Sequence, residues 1–64
     1  MFQIHETHGF FGKSLLAETF ATQDEAISYL DHYYGGVVYS IFNDETNTMD
    51  VRTGEGFIYE ISEK

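Results

Sequence analysis

The sequence predicts an α+β domain: a small antiparallel sheet of about four to five strands, in the order β-β-α-β-β-β, with one helix packed on one face. Three observations carry this. Apolar and polar residues alternate with period two in 2–7, 48–53 and 57–62, as half-buried strands require. The stretch from Thr22 to Gly35 carries both a helix start and a helix stop. The chain contains no proline, so nothing interrupts these segments from within.

Residues 2–7, FQIHET, set Phe2 and Ile4 against Gln3, His5 and Thr7, the pattern of a first strand. HGFFGK follows; Gly9 and Gly12 bracket two phenylalanines and mark a turn with an apolar tip. SLLAETF, 14–20, reads as a second strand with weaker alternation. Thr22 is then a good N-cap, and Glu25 three residues on completes a capping box. Asp24 and Glu25 suit the positive end of the helix dipole. Gly35 stands where a helix end needs a left-handed residue. At 100° per residue, Ala26, Ile27, Tyr29, Leu30, Tyr33 and Tyr34 fill an arc of roughly 160°, opposite Asp24, Ser28, Asp31 and His32.

GVVYSIFN, rich in β-branched and aromatic residues, is the strongest strand. DETN turns the chain, and TMDVRT alternates Met49 and Val51 with Asp50 and Arg52. GEG makes a tight hairpin connection, and FIYEIS closes with Phe57, Tyr59 and Ile61 on one face. With the helix on the apolar side, the other sheet face is expected to carry His5, Asp50, Arg52 and Glu60. Leu30, Tyr33, Tyr39, Phe57 and Tyr59 are expected in the core.

The 64 residues make one domain, 1–64. A chain this short buries only about 60% of its unfolded surface. There is no cysteine, so disulfides and thiolate metal sites are excluded. Six Phe and five Tyr must supply the buried area, unless oligomerisation adds to it. No apolar run approaches the ~20 residues of a membrane span, and the N-terminus lacks a basic segment followed by an apolar one. Eleven carboxylates against three Lys and Arg give a formal charge of −8. That balance argues against direct binding to nucleic acid or to a membrane, and favours basic partners.

The chemistry-bearing patterns are few. HETH puts His5 and His8 three apart, which on a strand sends them to opposite faces, and the helical H-E-x-x-H zinc pattern is absent. NDETNTMD lacks the glycine that a calcium loop needs at its sixth position: Thr48 falls there counting from Asn43, Met49 counting from Asp44. GEG is too short to cradle a phosphate and opens no helix. Ser14, Ser28, Ser40 and Ser62 stand outside any nucleophile-elbow context. Paired carboxylates could serve as acid and base, but one helix on a small sheet offers little concavity for them. No enzyme activity, cofactor or metal is expected. Phe10 and Phe11, in the glycine-flanked turn, either anchor a partner or fold back over the open end of the sheet.

Glu18, Asp24, Glu25, Asp31, Asp44, Glu45, Asp50, Glu55, Glu60 and Glu63 are spread along the chain, where a solvated tail would gather them in one block. Alternate strand residues lie about 6.8 Å apart. Carboxylates on neighbouring strands therefore form rows at a scale comparable to duplex phosphates, at about 3.4 Å of axis per nucleotide of each strand. The stretch LLAETFATQDEAISYLDHYY runs from a strand into a capped helix with DEA in its first turn. With the size, charge and element order of the whole chain, it resembles the small acidic inhibitors that phages carry against host machinery: anti-CRISPR proteins, antirestriction DNA mimics and inhibitors of bacterial RNA polymerase. The resemblance is to a class and transfers no functional residue.

The resemblance implies a non-enzymatic inhibitor in the cytoplasm of a bacterial host. Its partner is expected to be a basic nucleic-acid-binding protein, the DNA-binding site of a CRISPR effector being favoured, blocked by carboxylates presented as phosphates. The expected contacts are Asp24, Asp31, Asp44, Glu45, Asp50, Glu55 and Glu60. Reversing Asp24 and Asp31 to Lys is expected to leave folding intact. The alternative is a small protein–protein interaction or homodimeric assembly domain that uses an aromatic patch, with Phe10 and Phe11 as contacts and an exposed strand edge as the dimer seam.

Overall fold

In the computed structural model, which describes residues 1–7 and 12–64, the chain forms β1 (Phe2–Thr7), β2 (Lys13–Phe20), α1 (Gln23–Tyr33), β3 (Val37–Asn43), β4 (Thr48–Thr53) and β5 (Ile58–Glu63). The α+β class and the β-β-α-β-β-β order are those expected. The tip of the HGFFGK turn, with His8, Phe10 and Phe11, lies outside the described residues.

The strands pair antiparallel throughout, in the spatial order β2-β1-β5-β4-β3. The last strand therefore closes the fold by inserting between β1 and β4. Its register sets Ile61 opposite both Ile4 and Met49, and Tyr59 opposite Val51. Cross-strand partners share a face, so these residues form one apolar surface. The helix lies over it, and Ile4, Ala26, Leu30, Val51, Tyr59 and Ile61 are buried together.

The helix ends are built as their sequence demands. Thr22 is extended and its Oγ1 accepts the Glu25 N–H at 3.1 Å. The Glu25 carboxylate reaches back to accept the N–H of Ala21 at 3.2 Å, one residue before the cap. At the far end Gly35 adopts φ +87, a conformation that costs a residue with a Cβ about 1 kcal/mol or more. Gly54 serves a different need. It donates to the Gly36 carbonyl at 2.8 Å, and a Cβ on it would meet the Gly35 carbonyl oxygen at 2.8 Å. The β4–β5 turn is thereby pressed backbone to backbone against the end of the helix.

Three residues expected in the core are exposed instead: Tyr33 at 66%, Phe57 at 47% and Tyr39 at 42%. Tyr39 lies on β3, which is an edge strand, and pairs with Arg52 on the face away from the helix. Phe57 precedes β5 and belongs to the turn. The Tyr33 ring packs along the helix flank against Tyr29 and His32, not down onto the sheet.

Candidate functional site

The carboxylates expected to act together are divided by the fold among four places. Asp24 stands exposed in the first turn of α1. Asp44 and Glu45 are exposed in the β3–β4 turn. Asp50 and Glu60 face one another across β4 and β5, on the side of the sheet away from the helix. Asp31 and Glu55 meet at the Gly35–Gly36 turn, where Glu55 Cγ would lie 3.0 Å from a Cβ on Gly35 and Asp31 Oδ1 3.8 Å from one on Gly36. Helix and open sheet face are opposite sides of a body 25 × 25 × 23 Å across, so the seven carboxylates do not form one surface.

Among the described residues, two of the seven already have partners. Asp31 Oδ1 accepts the Val37 N–H at 2.8 Å, tying the last turn of the helix to the start of β3. Lys13 Nζ lies 3.0 Å from Glu60 Oε2. The expectation that Asp31 could be reversed to Lys without touching the fold is therefore corrected: the reversal removes a backbone tether.

The open sheet face is a ladder set by register. Its middle row runs Leu15, His5, Glu60, Asp50 and Ile41 across the five strands. Like charges directly opposite destabilise a strand pair; Lys13 offsets this by compensating Glu60. His5 Nδ1 is buried in this row with no hydrogen-bond partner among the described residues. Among the described residues no three His, Asp or Glu side chains converge to hold a metal ion.

Two features were not placed on named residues from the sequence, where an exposed strand edge was expected without saying which strand forms it. The first is a shallow trough of about 450 Å³ on the flank of α1 above the end of β2. Phe20, Tyr29 and Tyr33 form its aromatic wall, with ring centroids 5.1 Å apart for Phe20–Tyr29 and 4.8 Å for Tyr29–Tyr33. Asp24, Glu25, Ser28 and His32 supply its polar lining. Partial burial, then the charge of Glu18 and contact with Tyr34, pushes the Tyr29 hydroxyl up to about 12. Ser28 falls between Asp24 and His32 at four-residue spacing. Eight residues of helix separate Asp24 from His32 by about 12 Å, so no Ser–His–Asp relay forms there. The signal in the sequence was the pairing of Glu25, Tyr29 and Tyr33 at i, i+4, i+8, which puts acid and rings in one stripe.

The second is the edge formed by β3. Both sheet edges are unpaired on one side, but they differ in kind. β2 carries Lys13 and Glu18, and a shift in its register between Gln3 and His5. These are the usual devices that stop an edge from recruiting another strand. β3, VVYSIFN, shares only the second of these, a register shift between Val37 and Tyr39; it has no charged residue, and Val38, Tyr39, Ile41 and Phe42 are 65%, 42%, 59% and 44% exposed.

Among the described residues no helix is long and apolar enough to cross a membrane. Set against protein-family models, curated proteins and solved structures, the chain matches none of them.

Proposed function

We propose that this protein is a non-enzymatic inhibitor that binds a basic nucleic-acid-binding protein, with the DNA-binding site of a CRISPR effector as the favoured target, and excludes DNA from it. The observation that supports this reading is the charge: eleven carboxylates against three Lys and Arg, distributed over the helix, two turns and the strands. A body charged at −8 associates with a cationic groove by electrostatic steering and releases the groove's counterions. Since Asp31 and Glu60 are engaged internally, Asp24, Asp44, Glu45 and Asp50 are the carboxylates left to stand for phosphates, with Glu55 beside Gly35 contributing to one end. The test is displacement of labelled duplex DNA from a panel of purified effector complexes and other basic DNA-binding proteins. Displacement at low salt that fades as salt rises supports the reading. No displacement of DNA from any member of the panel at low salt would sink it.

A second reading is favoured by one observation, the uncharged apolar edge of β3. It makes the protein an assembly domain that pairs β3 with β3 of a second copy. Ser40 partners Val51, so Ser40 and Phe42 share the helix side while Tyr39 and Ile41 share the other, and the register shift between Val37 and Tyr39 takes Val38 out of this alternation. Antiparallel pairing about Ser40 then sets Tyr39 opposite Ile41, joining an aromatic and a β-branched residue on the face away from the helix. Salt separates the two readings by sign. Mimicry weakens as salt rises, whereas pairing of two bodies at −8 strengthens. Sedimentation across concentration and salt, with Ile41→Lys as the variant that places a charge on the seam, decides it. A monomer at every concentration and salt removes this second reading.

A further inference from the structure

We infer that the aromatic trough on the flank of α1 is a seat for an arginine side chain of the protein partner, with its apolar stem along Tyr33, the guanidinium stacked on Tyr29 and forked toward Glu25, and Asp24 adding negative charge at the end of the trough. This deepens the proposed function and rests on its claim that the partner is basic.

The chemistry of the lining selects the ligand. Phe20, Tyr29 and Tyr33 stand in consecutive ring contact, tilted by 51° and 46°, so they form a continuous wall, with Tyr33 at its end 66% exposed and in edge contact with His32. Ring faces are the negative side of the aromatic quadrupole and attract a cation within about 6 Å. Carboxylates border the same wall. Asp24 makes no hydrogen bond or ion pair among the described residues. Glu25 uses one oxygen, Oε2, in the helix cap, which leaves Oε1 to accept. The N-terminal end of a helix repels a cation through its dipole, but these two carboxylates occupy that first turn and reverse the local sign.

Arginine fits this lining better than lysine does. Its guanidinium is planar, weakly hydrated, stacks on aromatic faces and pairs with a carboxylate in fork geometry, whereas an ammonium is a strongly hydrated point charge. The trough is open along its length, and a free small ligand needs about 70–90% of its surface covered to be held in a pocket. A side chain tethered to a protein that is already steered to the acidic body does not. The partner's arginine is therefore favoured over a free organic cation.

The test uses the full chain, labelled for nuclear magnetic resonance, titrated at low salt with a capped hexa-arginine peptide and, separately, a capped hexalysine peptide. The expected result is movement of the Tyr29 and Tyr33 ring signals and of the Asp24 and Glu25 amides, with hexa-arginine binding about threefold or more tightly than hexalysine. Tyr33→Ala and Asp24→Asn should each weaken hexa-arginine by about two- to fivefold and reduce its advantage over hexalysine. Tyr33 is 66% exposed, so Tyr33→Ala should keep the wild-type pattern of amide signals elsewhere. Equal binding of the two peptides, unaffected by either variant and centred on Asp44 and Glu45, would overturn the arginine seat while leaving the acidic-surface reading in place. Absence of binding by both peptides overturns the seat as well, and the DNA-displacement assay then judges the broader reading on its own.

Discussion

Asp31 offers a test in which the sign of the effect decides. On the helix surface it looks like a dispensable acid, and by local rules it is a poor choice there. Replacing Asp by Ala inside a helix gains up to about 0.6 kcal/mol of propensity. Removing a carboxylate from the last turn relieves an adverse dipole contact of about 0.3–1 kcal/mol. If nothing else acted, Asp31→Ala would stabilise the domain by about 1 kcal/mol and raise its melting temperature by about 4–8 °C. The structure adds an opposing term, the 2.8 Å hydrogen bond from the Val37 N–H to Asp31 Oδ1. Hydrogen bonds to charged groups contribute about 1.5–3 kcal/mol, and the lower end applies because Asp31 is exposed. The net expectation for Asp31→Ala is a loss of about 0.5 kcal/mol, or a melting temperature lower by about 2–4 °C. Asp31→Asn keeps an acceptor oxygen and should lose less. Circular dichroism melts give the sign, and hydrogen exchange at the Val37 amide, faster in Asp31→Ala, ties it to the tether. A rise in melting temperature with unchanged Val37 exchange would refute the assignment.

Two further outcomes follow from the core. Leu30 is fully buried, and Leu30→Ala should cost about 2–5 kcal/mol. At roughly 0.05–0.15 kcal/mol per residue the whole domain holds only about 3–10 kcal/mol, so a urea melt should show a greatly lowered midpoint or no folded baseline; a midpoint within experimental error of wild type would mean that Leu30 is not in the core. Burial also pushes the hydroxyls of Tyr29 and Tyr59 up to about 12 from 10.0, Tyr59 being further raised by Glu6, Tyr34 and Glu55. The folded state thus keeps protons that the unfolded chain releases, so their contribution to stability is intact below pH 10 and is lost as pH rises through 12. Tyrosinate absorbance should show these two of the five tyrosines ionising late, together with alkaline unfolding; a single transition of all five near pH 10 would contradict the burial.

The exposed surface leaves the two functional readings with different demands on the molecule. Mimicry needs rigid carboxylates on one side, and the fold groups them in pairs on several sides: Asp44 with Glu45, Asp31 with Glu55, Asp50 with Glu60. A target would therefore engage one or two of these groups at a time, and the arginine seat beside Asp24 adds a contact whose specificity does not depend on charge alone. Assembly through β3 asks nothing of the carboxylates except that salt screen them.

The sequence by itself determined the elements and their order. Each is a local property: the alternation of FQIHET, the capping box of Thr22 and Glu25, and the left-handed glycine after Tyr34 concern residues within one turn or one strand of each other. It also determined the two faces of the sheet, because a period of two fixes which side chains travel together once any one of them is buried. Which strands would lie at the edges was decided only by the tertiary structure. The most apolar strand, VVYSIFN, has every local mark of a central strand, yet the last strand inserts between β1 and β4 and leaves it outside. Strand order depends on pairings between residues as distant as Phe2 and Glu63, and nothing in a local pattern encodes those. The same closure turned Tyr39 outward, and packing along the helix flank made a wall of Tyr29 and Tyr33. Asp31 became a tether because the chain returns past it six residues later. Exposure, engagement and grouping belong to the assembled body, since each depends on what the rest of the chain happens to cover.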